Sequence, residues 1–138
     1  MRKIGLLLIA GVALAQAPSF QNVGNMSQLM VNIIYPTSDA IFYVLRTPPK
    51  TEYDWEQLQN QGLMLAEAGN LLMLPGRTRE GDWNKMSKVM LDLGAAAFKA
   101  AKAHDLPAIE ALNEPLSDAC IACHTAYRPS YRKNKQKQ

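Results

Sequence analysis

Apolar residues return every three or four positions through most of this chain, and prolines and glycines cut the pattern into four helical stretches. The first spans about residues 25–45, with Met26, Met30, Ile33, Ile41 and Val44 or Leu45 along one stripe. Pro36 lies inside it; a ring that removes an amide donor and crowds the preceding turn predicts a kink or a broken turn there. Thr47, Pro48 and Pro49 end this stretch. The second starts after Lys50, carries Trp55, Leu58, Leu65 and Leu72 at heptad-like intervals, and stops at Pro75-Gly76. The third opens near Asp82, sets Trp83, Met86, Met90, Leu93, Ala97 and Ala100 on one side, and closes at His104. The fourth covers about residues 107–127, with Pro107 acceptable in a first helical turn and Pro115 a disturbance further in. Strand-like alternation is absent from the sequence.

Four helices of about twenty residues on short loops predict an all-α chain folded as an antiparallel four-helix bundle, up-down-up-down. In that topology the end of the fourth helix lies beside the start of the first, the end of the second and the start of the third. Residues 120–124 then share one end of the bundle with Met26, Met30, Met73 and Met86, and His104 falls at the other end. At about 1.5 Å per residue the fourth helix separates the two ends by roughly 25 Å.

The first twenty residues do not belong to this pattern. A basic start at Arg2 and Lys3 precedes an apolar run from Ile4 to Ala15, too short for a membrane span and of the length of an export signal. Ala13 and Ala15 form an A-x-A site, which predicts cleavage after Ala15; an uncleaved N-terminal anchor is the alternative. No cysteine follows the run, which argues against a lipoprotein. The expected layout is a signal peptide over residues 1–15 and one domain over residues 16–138, working in a bacterial periplasm, with no membrane span in the mature chain. Loss of Arg2 and Lys3 from the 15 basic residues brings the charge close to balance with the 12 acidic ones. The distribution is uneven: residues 128–138 hold Arg128, Arg132, Lys133, Lys135 and Lys137 and no acid. Such a tail reads as a solvated end; without aromatic interleaving or a reading motif it does not predict nucleic-acid binding.

The chemistry concentrates in Cys120-Ile121-Ala122-Cys123-His124. A disulfide closing so short a loop within a helix is strained. A thioredoxin-type pair wants a helix N-terminus after a strand, whereas this pair lies near a helix C-terminus in an all-α pattern. Zinc needs four donors, and His104 is at the wrong end of the bundle to supply one. Covalent haem attachment accounts for each residue: two thiols one helical turn apart can form thioethers to the porphyrin vinyl groups, and the adjacent imidazole reaches the iron.

An exported four-helix chain with its single "CIACHTAYR" motif near the C-terminus resembles the class II cytochromes c, the cytochrome c′ family, over nearly the whole mature length. The resemblance implies one haem c bound through Cys120 and Cys123, His124 as the proximal axial ligand, and Tyr127 and Arg128 close to the haem on the next turn. It implies an electron carrier that meets redox partner proteins, not an enzyme with protein-based catalysis, and often a homodimer through the first two helices. The first helix departs from the family pattern, reading "SQLMVNIIYPTSDAIF" where an Arg-rich start without internal proline is common. Within the class, a Met on the first helix gives a six-coordinate carrier, and a non-ligating residue there leaves a five-coordinate iron that binds nitric oxide or carbon monoxide. Met30 is the candidate sixth ligand; Met26, one turn earlier, is its competitor, and Met as a core filler is the plain alternative.

The remaining singled-out residues carry bland readings. Trp55 and Trp83 are expected as core or end-of-bundle aromatics, Met73 and Met86 as packing, and His104 as a charge or cap at a helix C-terminus. Glu67 and Asn70 face a polar side. No Ser/His/Asp set, carboxylate pair or phosphate-binding glycine loop occurs.

Overall fold

The computed structural model describes residues 19–128 and Ser130, so the expected export segment and most of the basic tail lie outside the described residues. The described residues form helices and connecting turns: α1 (Met26–Leu29), a π-helical turn (Met30–Ile34), α2 (Tyr35–Phe42), α3 (Glu52–Leu72), α4 (Trp83–Lys102), α5 (Leu106–Glu110) and α6 (Asn113–Tyr127). Caps fix the starts. Asn25 accepts from the amide of Gln28 while the Gln28 side chain accepts from the amide of Asn25, and Thr51 and Asp54 make the same reciprocal pair ahead of α3.

Pro36 does not break the first helical stretch. The backbone widens instead: the Tyr35 amide reaches back five residues to the Met30 carbonyl, which makes room for a ring that can neither donate nor tolerate a close carbonyl. The Thr37 hydroxyl covers the disturbed carbonyls, donating to Ile33 (2.8 Å) and Ile34 (3.0 Å). Pro115 acts more strongly than the single fourth helix allows. The chain turns at Ala111 and Leu112, and α6 restarts with Pro115 in its first turn, where a missing amide costs nothing.

The tightest packing is between α3 and α4. A Cβ at Gly62 would stand 2.5 Å from the Phe98 amide nitrogen, and one at Gly94 would collide with the Ala66 backbone. Only glycine permits such an approach. These two contacts pair residues in opposite order, so α3 and α4 run antiparallel. The buried stripe of α4 is accordingly Trp83, Ser87, Met90, Gly94, Ala97, Ala100 and Ala101. Trp83, Met90, Ala97 and Ala100 lie on it as expected, while Met86 and Leu93 are half-buried. Ile41, Leu65, Ile109 and Leu116 anchor the common core, each worth about 1.5–3 kcal/mol of transfer free energy.

One end of the molecule gathers the termini of four segments. The buried Trp83 donates its indole N–H to the Leu72 carbonyl (2.8 Å), closing the end of α3 onto the start of α4. Tyr127, at the end of α6, meets Trp83 edge-on at 5.0 Å and donates its hydroxyl to the Glu80 carbonyl at 2.8 Å. Arg77 donates to the Leu71 and Gly24 carbonyls, joining the start of α1 to the same end. His104 sits at the far end, stacked on Trp55.

Candidate functional site

Cys120 and Cys123 are three residues apart and His124 follows Cys120 by four, so one face of α6 carries all three. That face borders an apolar cleft of about 340 Å³. The π-helical turn and α2 supply Met30, Val31, Ile34, Tyr35, Ser38 and Phe42 to its lining; α3 supplies Leu72, and α4 supplies Met86, Ser87 and Met90. Met30 therefore shares one cavity with both cysteines and His124. A second cleft, also about 340 Å³, is lined by Met26, Arg79, Trp83 and Tyr127 and shares Met30, Val31, Cys123, His124 and Arg128 with the first. Met30 borders both clefts, whereas Met26 borders one. Met73 lines neither, and Met86, expected as packing, faces the first.

Both cysteines are free thiols and half-buried. Burial pushes each thiol upward; the neighbouring Cys123 adds to the push on Cys120, while the Arg79 guanidinium offsets part of that on Cys123. A thiol-exchange centre needs the opposite direction. Burial, followed by the Arg128 guanidinium, pushes His124 below its ordinary value, so the imidazole favours the neutral form that metals bind. Among the described residues, no group of three or more His, Cys, Asp or Glu side chains converges as a metal site by itself.

Two further features distinguish the cleft. The Ser87 hydroxyl is buried in its wall and has no hydrogen-bond partner; such an atom costs about 1–3 kcal/mol if left so. Val31 and Tyr35 stand at its edge 61 % and 64 % exposed, a conspicuous state for large side chains bordering an apolar cavity. Sequence reasoning missed Ser87, Arg79, Val31 and Tyr35. The one available signal is the spacing of Ser87 from Trp83 and Met90, which puts a polar residue on an apolar stripe. Arg128 is where its proximity to the motif requires, lining both clefts. Glu67 and Asn70 form an exposed side-chain hydrogen bond with each other.

No helix among the described residues is long and apolar enough to cross a membrane. The chain matches no family model, no curated protein and no solved structure.

Proposed function

We propose that this chain is an exported single-haem electron carrier of the class II cytochrome c type, an antiparallel four-helix bundle holding haem c through Cys120 and Cys123. His124 would be the proximal ligand to its iron and Met30 the candidate sixth ligand. The observation that carries the reading is the shared lining of one apolar cleft by Cys120, Cys123, His124 and Met30. The residues present suit that cofactor. The thiols lie on one helical face, the cleft is apolar, Ser87 lacks a partner in its wall, and Val31 and Tyr35 offer surface for an occupant to cover.

A bound haem supplies reversible one-electron chemistry at iron. The chain's own residues hold and tune it. Cys120 and Cys123 would tether it to α6, and the His124 imidazole, favoured in its neutral form, would bind the iron. Leu72, Met86 and Met90 line one side with apolar surface, which would shield the group from solvent. The soft Met30 thioether favours ferrous over ferric iron and raises the reduction potential. The expected setting is the periplasm, with redox proteins as partners, either as a monomer or as a homodimer.

Acid-acetone treatment should leave the haem on the protein, with a haem-c pyridine spectrum; extractable or absent haem removes the reading. Met30→Ala should abolish the weak long-wavelength band of an Fe–S(Met) bond, lower the reduction potential, and leave the iron high-spin or bound to another residue such as Met26. A spectrum and potential unchanged in Met30→Ala would refute the Met30 assignment and leave the attachment standing. A wild type that is already high-spin and binds carbon monoxide rapidly in the ferrous state would favour a five-coordinate gas binder, with Met30 as an apolar shield.

A further inference from the structure

The two clefts are nearly bare of charge. Their combined lining includes no carboxylate and two guanidinium groups, Arg79 and Arg128. The facing segment, residues 26–42, has no Lys or Arg. Arg79 lies in the turn between α3 and α4, exposed, with its guanidinium carbon 5.2 Å from the centre of the Trp83 ring. Trp83 cannot drift, because the Leu72 carbonyl holds its indole N–H and Tyr127 packs edge-on against it. An aromatic face thus holds this cation at the cleft's lip. Arg79 takes part in neither of the ion pairs among the described residues, Lys88–Asp92 and His104–Glu52, although Glu80 and Asp82 are close in sequence. Arg79 and Cys123 line the same cleft.

A tetrapyrrole seated in an apolar cleft brings two carboxylates, which are costly to bury without a cation or water. We propose that Arg79 is a carboxylate anchor, holding one tetrapyrrole carboxylate at the mouth of the second cleft, with Arg128 adding positive charge from α6. This rests on the haem reading above. It assigns to the α3–α4 turn a task that the first helical stretch, lacking any cation, cannot perform.

The test uses the haem-loaded protein and follows the reduction potential against pH in wild type, Arg79→Gln, Arg79→Lys and Lys85→Gln. Lys85 is exposed, lies on α4 and borders neither cleft, so its variant controls for a general loss of positive charge. Arg79→Gln should move the carboxylate inflection up by about one pH unit, the scale of a neighbouring guanidinium's effect; Arg79→Lys should restore most of the shift, and Lys85→Gln should leave the inflection in place. Coincident profiles for wild type and Arg79→Gln, or an equal shift in Lys85→Gln, would overturn the assignment. A lowered melting temperature in Arg79→Gln with an unmoved inflection would also overturn it, reducing Arg79 to packing on Trp83. Absence of a haem-c spectrum in wild type defeats the underlying reading, an outcome distinct from these.

Discussion

The chain's two histidines sit toward opposite ends of α4, a helix about 30 Å long, in surroundings built on different lines. His104 follows α4 in the left-handed backbone region, at φ 55°. Its amide bonds the Ala101 carbonyl (3.1 Å) and the next amide bonds the Ala100 carbonyl (2.9 Å), a closed helix-ending turn. Its ring stacks on Trp55 at 4.7 Å, and the Glu52 carboxylate is 3.5 Å away. Nearby, Thr51 with Asp54 and Asp105 with Ala108 cap the two adjoining helices. Around His124, by contrast, lie two free thiols, the orphaned Ser87 hydroxyl, exposed apolar side chains and a guanidinium held by an aromatic ring. The His104 end completes most of its own contacts, the buried side-chain oxygen of Asn113 at the start of α6 excepted. The other leaves several to be completed by something else, and chemistry is to be sought there.

The largest expected break of this comparison is covalent. Cys120→Ser combined with Cys123→Ser should remove essentially all covalently bound haem, scored by the pyridine spectrum after acid-acetone extraction. His104→Gly should retain the wild-type content, since that position serves the far end alone. A smaller effect separates an occupied cleft from an empty one. In the haem-loaded protein Ser87→Ala should cost about 1 kcal/mol in thermal melts, the usual worth of a satisfied hydrogen bond. A rise in melting temperature would show that the hydroxyl stays orphaned and that nothing in the cleft meets it.

The smallest effect belongs to the far end. Asp54 accepts from the amides of Lys50 (3.0 Å) and Thr51 (2.9 Å). The Lys50 amide first, then the Thr51 hydroxyl and amide, hold its carboxyl below the ordinary value. A carboxyl so depressed in the folded state contributes stability above its unfolded pKa of about 3.9, lost as pH falls through the lower folded value. Asp54→Asn should therefore flatten the melting temperature's dependence on pH at and below about 4, while leaving any haem spectrum unchanged at neutral pH.

The helix spans of α3 and α4 were legible because local signals agree there: Thr51, Asp82 and the Pro75-Gly76 stop match the apolar period. The cysteine–histidine face of α6 was legible for the same reason, since three neighbouring residues on one helix need no tertiary information. The α4 stripe was legible only in part, at Trp83, Met90, Ala97 and Ala100. Bulky Met86 and Leu93 attract attention, yet the close approach to α3 selects Gly94 and Ala101, a choice made by the partner helix. Pro115 was recognised as a disturbance, but whether a proline bends, widens or restarts a helix depends on the packing around it; Pro36 and Pro115 take two different routes. Arg79 was illegible because it sits in a turn, and only the folded positions of Trp83 and Tyr127 bring that turn to the cleft.

The π-helical turn at Met30–Ile34 has a genetic meaning as well as a geometric one. It holds one residue more than an α-helical turn, so deleting a single codon there would restore an α-helical turn and leave the residues on either side close to their present phase. The residues before the turn would keep their facing toward the cleft, while Pro36 would regain the carbonyl four residues back as a close neighbour. In this architecture the first helical stretch can change its length by one residue at this turn without turning the segment before it away from the cysteine–histidine motif.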